Sequence, residues 1–141
     1  MRDGLSTCHY QATARGILYE VITDGTWGMM GMCDPETRRC VEYEAPGWVY
    51  HVGYDAEGKL WFFSDANIRY FPTMRPGVRN KPVDLTGRLK TYSEGQRSHL
   101  HAAVTPDRRH ILFTGGDPSN ETNHLFLLDI SDLSGTETLL Y

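Results

Sequence analysis

Short apolar runs alternate with polar turn sequences along this chain, and three stretches share one layout. "CHYQATARGILYEV" from Cys8, "YHVGYDAEGKLWFF" from Tyr50 and "LHAAVTPDRRHILFT" from Leu100 each carry a histidine near the start of a small or apolar run. Each then turns at Ala-Arg-Gly, Ala-Glu-Gly or Pro-Asp-Arg-Arg and continues into a run rich in aromatic and branched residues, the pattern of a β-hairpin. A second pair of runs follows: "TWGMMGMC" and "CVEYEA" about "DPETRR" in the first unit, "HLFLLDI" and "TETLLY" about "SDLSG" in the third. In the second unit "NIRYFPT" leads through the Pro/Gly/Asn-rich "MRPGVRNKPVD" to "GRLKTYSE". His9, His51 and His101 stand 42 and 50 residues apart, and four short strands per period of about 45 residues is the arithmetic of β-propeller blades. No segment sustains a helical apolar period. The expectation is an all-β chain, one unit over 1–141, built as a partial propeller of about three four-stranded blades at 1–48, 49–95 and 96–141. Three blades leave two open flanks with apolar surface and unpaired edge strands. The chain is therefore expected to be the C-terminal part of a longer propeller, or to complete a ring by self-association as a homo-oligomer.

Composition narrows the function classes. The 141 residues are 40% hydrophobic and 23% charged, far from the signature of disorder. A net charge of -4, with no Lys/Arg cluster denser than "DRRH" or "TRRC", argues against a nucleic-acid partner. No apolar run approaches the roughly 20 residues needed to span a bilayer, and "MRDGLSTCHY" lacks the apolar core of a signal peptide. Three cysteines without CxxC spacing indicate neither a zinc ribbon nor a disulfide framework, although Cys33 and Cys40 flank a turn and could pair across a hairpin. Free cysteines and the missing leader lean towards a cytoplasmic location.

Candidate chemistry concentrates in "GQRSHLH". Its Q-x-x-H-x-H spacing puts His99 and His101 on the same side of an extended strand, with Gln96 close by. His51 occupies the equivalent opening position of the preceding unit and should point to the same axis. Three histidines and a glutamine converging on one channel mouth form a site for a divalent metal. Beside this stands a plainer reading in which each histidine caps its blade by hydrogen bonding. His110 and His124 read as exposed strand starts, and Trp27, Trp48 and Trp61 as packing residues. Tyr54 is either a packing residue or one that lines the site. "TGGDPSN" has no following helix and cannot make a phosphate loop. Asn120-Glu121-Thr122 fits the glycosylation sequon.

These residues resemble a known family, the oligogalacturonate lyases, seven-bladed propellers that cleave pectin fragments by β-elimination. "GQRSHLHAAVTPDRRHILFTGGD" resembles the family's Q-x-x-H-x-H followed by a strand, a Thr-Pro-Asp turn and an I-L-F-T strand. "HVGYDAEGKLW" is similar to its H-x-x-x-Y-D-x-x-G segment, and "STCHYQ" to its C-T-H-E stretch with Cys and Thr exchanged. The resemblance covers the whole chain as the last three blades. It implies that His51, Gln96, His99 and His101 bind manganese, that His9 abstracts the proton, and that oligogalacturonides are cut to 4,5-unsaturated products. The family also uses an arginine one blade earlier, which would lie upstream of this sequence, so the chain alone is expected to be incomplete as a catalyst. A histidine suits proton abstraction because its ordinary pKa, about 6.5, leaves much of it neutral at neutral pH. Three neutral imidazoles and an amide leave a cation its full charge for an anionic sugar. The alternative from another class is a non-catalytic propeller scaffold in which the histidines are structural.

Overall fold

The computed structural model describes residues 6–22, 27–46, 51–55, 57–64, 67–89, 100–117, 119–133 and 135–141. Among them the chain is all β apart from one 3₁₀ turn, Ser131–Leu133. The first sheet is an antiparallel meander of β1 (Ser6–Thr13), β2 (Gly16–Ile22), β3 (Trp27–Cys33) and β4 (Cys40–Pro46). After it come β5 (Val52–Tyr54), β6 (Trp61–Ser64), β7 (Ile68–Tyr70), β8 (Thr73–Met74) and β9 (Val83–Asp84); the second sheet has the order β5-β6-β7-β9. A third sheet joins β10 (Ala103–Val104), β11 (His110–Asp117) and β12 (Thr122–Asp129). The short β13 (Leu139–Leu140) runs parallel to β8.

The first hairpin of each unit closes on a turn in which one residue takes positive φ: Gly16 at 141°, Gly58 at 70° and Arg108 at 58°. The second is the best bonded. Asp55 accepts from Gly58 N–H at 2.9 Å through its carbonyl and from Lys59 N–H at 2.7 Å through Oδ1. A Cβ on Gly58 would stand 2.5 Å from Thr13 Oγ1, so glycine is needed there for space as well as for conformation.

The sheets stack because β6 is apolar on both faces. Trp61 and Phe63 enter a cluster with Leu18, Met30, Tyr43 and Phe71 between the first and second sheets. Phe62, one residue out of phase, enters another with Leu100, Ile111, Phe113 and Ile130 between the second and third. Side chains that alternate across a strand thus supply two cores from one run of four fully buried residues, Trp61 to Ser64. The turns are joined by charge as well. Arg108 Nε lies 2.6 Å from the fully buried Asp55 Oδ2, and the Arg108 guanidinium also donates to Thr136 O at 3.0 Å.

Three expectations are corrected. Cys33 and Cys40 are directly opposite in the β3–β4 register, Cα atoms 4.0 Å apart, and form a disulfide. That removes two of the three free thiols on which the cytoplasmic expectation leaned. In the second unit the fourth strand is Val83–Asp84, inside the Pro/Gly/Asn-rich stretch, rather than "GRLKTYSE", of which residues 87–89 are described and not strand. In the third unit "TETLLY" does not pair with β12. Thr138, 2% exposed, draws that segment to the second unit instead: its N–H donates to Lys59 O at 2.8 Å, its hydroxyl donates to Phe71 O at 2.6 Å and accepts from Trp61 N–H at 2.9 Å. Leu139 and Leu140 then fall beside Thr73 and Met74. Among the described residues β12 is therefore an edge strand. Leu112 and its cross-strand partner Leu127 share a face with Leu125, and all three are exposed.

Candidate functional site

Each of the three unit-opening histidines has a left-handed backbone: φ is 50° at His9, 50° at His51 and 43° at His101. A non-glycine residue held there costs about 1–3 kcal/mol and persists only where its surroundings fix it. Arg38, Arg108 and Glu121 also have positive φ, but they lie in hairpin connections, where such values are ordinary. The histidines stand at strand entries or, for His9, within a strand.

The local cause differs at each. In β1, Cys8 pairs with Glu20 and Gln11 with Leu18, so His9 and Tyr10 together oppose Tyr19 in a bulge. A bulge re-aims a side chain. His9 turns towards Glu20, with Nδ1 2.9 Å from Oε2. Immediately before β5, the His51 N–H donates to the same Glu20 oxygen at 3.0 Å, while the His51 carbonyl accepts from Ser64 N–H at 3.2 Å. His101 follows Leu100, which is buried in the second core and accepts from Thr114 N–H at 2.8 Å.

The result is a row of imidazoles across three sheets. Ring centroids of His9 and His51 are 4.3 Å apart and those of His51 and His101 are 4.1 Å apart, with tilts of 55° and 40°. The rings border an open cleft of about 290 Å³, completed by Tyr10, Gln11, Val52 and Ala102. Tyr10 is 64% exposed. Beneath the cleft the Glu20 side chain is 2% exposed, against 43% for His9. Tyr54 does not line the cleft. It is 3% exposed, edge-on to Trp61 at 5.3 Å, and sits in the core between the first two sheets. Burial lifts its hydroxyl pKa well above the usual tyrosine range, and the Glu20 charge adds to the effect. Its expected place beside a substrate is thus replaced by a place under the site.

Of the four expected metal ligands, Gln96 and His99 lie outside the described residues. Among the described residues no group of three or more His, Cys, Asp or Glu side chains is disposed to hold a metal. The two ligands that are described, His51 and His101, stand with adjacent rings at the cleft. Neutral imidazoles suit first-row divalent ions and an amide oxygen extends the range to harder ones, so the donor chemistry fits a divalent cation. His9 differs from them, since one of its two nitrogens is engaged by Glu20. His110 Oγ-turn partners lie away from the cleft: its N–H donates to Thr105 Oγ1 at 3.1 Å. His124 Nε2 is 2.7 Å from Thr122 Oγ1 on the exposed β12.

No family model matches the sequence, and no curated protein matches it. Two solved chains match in structure. One, an oligogalacturonate lyase in complex with manganese, superposes over 89% of this chain with a TM-score of 0.67 at 22% identity. This chain is a partial β-propeller. It spans 35% of the length of that structure. Within the propeller, Glu20, Tyr10 and Gln11 are site residues that the sequence reading did not single out. Glu20 could have been found: it shares a strand face with the core residue Leu18, and an acidic side chain on an inward face needs a partner.

Proposed function

We propose that this chain carries part of the active site of a divalent-metal uronate lyase of the oligogalacturonate lyase family. One observation carries the reading: three histidines from three successive sheets, each in a costly left-handed conformation, bring their rings together at a single cleft. A blade cap needs only a hydrogen bond, whereas exposure of His9 and His101 at a cleft suits groups that must meet a ligand. The likeness in fold to a manganese-bound oligogalacturonate lyase supports the same reading.

In this reading His51 and His101, with Gln96 and His99, hold the ion, expected to be manganese. When bound, a divalent cation supplies Lewis-acid charge to a substrate carboxylate. His9 takes the proton from C5 of the galacturonate. The C5–H electrons form the C4–C5 double bond as the C4–O bond breaks, and the leaving oxygen takes up a proton. Tyr10 offers an exposed aromatic face beside the base for the sugar ring.

The test is calorimetric titration of the chain with a short oligogalacturonide, with and without manganese. Binding should require the metal, fail with a neutral galactose oligomer of equal length, and weaken at least tenfold in His101→Ala. Equal binding of the neutral sugar, or no binding at millimolar uronate in saturating manganese, would overturn the proposal.

A further inference from the structure

Glu20 has a second task besides compensating its own burial. Its Oε2 meets two groups from different units, the His9 ring nitrogen Nδ1 at 2.9 Å and the His51 main-chain N–H at 3.0 Å. The main-chain group can only donate, so Oε2 is an acceptor. A carboxylate oxygen has two lone pairs, and the second takes the His9 Nδ1 proton. In neutral imidazole one nitrogen carries the proton and the other the lone pair.

From this geometry we infer that Glu20 is the positioning residue of the site: it fixes His9 as the Nδ1–H tautomer, leaving the Nε2 lone pair for proton abstraction, and ties that ring to the strand entry bearing His51. The inference rests on the reading of His9 as the base. Two features make Glu20 suited to both tasks. It projects from β2, whose neighbours β1 and β3 pair with it along most of its length, so its backbone is well held. Its side chain is almost entirely shielded from water, which strengthens a charge-assisted hydrogen bond and leaves little competition for Oε2. The contact to His51 N–H also accounts for how a left-handed histidine is held at that strand entry, with Ser64 N–H binding the carbonyl on its other side. Base and ligand strand are thereby registered on one oxygen, so a shift of either moves the other.

The experiment is nitrogen-15 NMR of the histidine rings in the whole 141-residue chain, at a pH where imidazole is neutral, on wild type and Glu20→Gln. Long-range proton–nitrogen correlations separate protonated from lone-pair ring nitrogens. Wild-type His9 should show a protonated Nδ1 and a bare Nε2. Glutamine keeps the shape and an acceptor for His51 N–H, but its amide can donate to Nδ1, so the His9 tautomer should reverse or become mixed. A purely structural Glu20 would leave the tautomer unchanged in the variant, and that result, or a wild-type His9 protonated at Nε2, would overturn the inference. Where Glu20→Gln fails to fold, the wild-type spectrum alone still decides. The readout involves neither metal nor turnover, so its failure leaves the lyase reading standing. Failure of metal-dependent uronate binding with the expected tautomer would instead remove only the catalytic meaning of the bond.

Discussion

Tyr19 shows how a single side chain reports on the fold. Its ring is 5% exposed on the outer face of the first sheet, with Val21 and Met29, and its hydroxyl donates to Glu42 Oε1 at 3.4 Å. Burial, then the Glu42 charge, push its pKa up to about 12. The unfolded chain releases the same proton near pH 10, so Tyr19 contributes its full stability below that pH and loses it as pH rises towards 12. Urea midpoints should therefore be flat up to about pH 10 and fall above it, and Tyr19→Phe should lessen the fall. An unchanged alkaline slope in Tyr19→Phe would show that its proton is not held. At the same scale the site was half legible. The repeated opening histidine picked out His9, His51 and His101 because a repeat sets equivalent residues in equivalent places. Tyr54 was misjudged because a tyrosine near the motif looks alike whether its strand turns it to the cleft or, as here, into the core.

Among the elements, the β3–β4 hairpin is the clearest target. The Cys33–Cys40 disulfide spans a sequence separation of 7 and closes the Asp34–Arg39 connection, where Asp34 O accepts from Arg38 N–H at 2.8 Å. Loop-closure entropy for so short a ring is worth about 2 kcal/mol. Cys33→Ser with Cys40→Ser should lower unfolding free energy by about that amount, measured by denaturant titration, while leaving the cleft intact; no change would mean the hairpin is fixed without the bond. The long hairpins β1–β2, β3–β4 and β11–β12 and the doubly buried β6 were readable from apolar runs and turn residues. The two-residue strands β8, β9 and β13 were not. Their pairing follows from contacts remote in sequence, above all Thr138 on Phe71 and Trp61, and no local pattern encodes those.

For the molecule as a whole, three stacked sheets bring one histidine each to a shared cleft, so the central claim concerns what those histidines hold. Stacking places the unit openings at one end of the sheets, and the two apolar clusters fix the spacing between neighbours. Metal binding at that end would couple all three units, since a ligand that binds only the folded chain stabilises it by mass action. The most direct measurement is manganese stoichiometry by electron paramagnetic resonance on the purified chain, compared among wild type, His51→Ala and His110→Ala. One ion per chain in wild type and in His110→Ala, with loss of that ion in His51→Ala, is the predicted result. No bound manganese in wild type at saturating metal, or full retention in His51→Ala, would contradict the account.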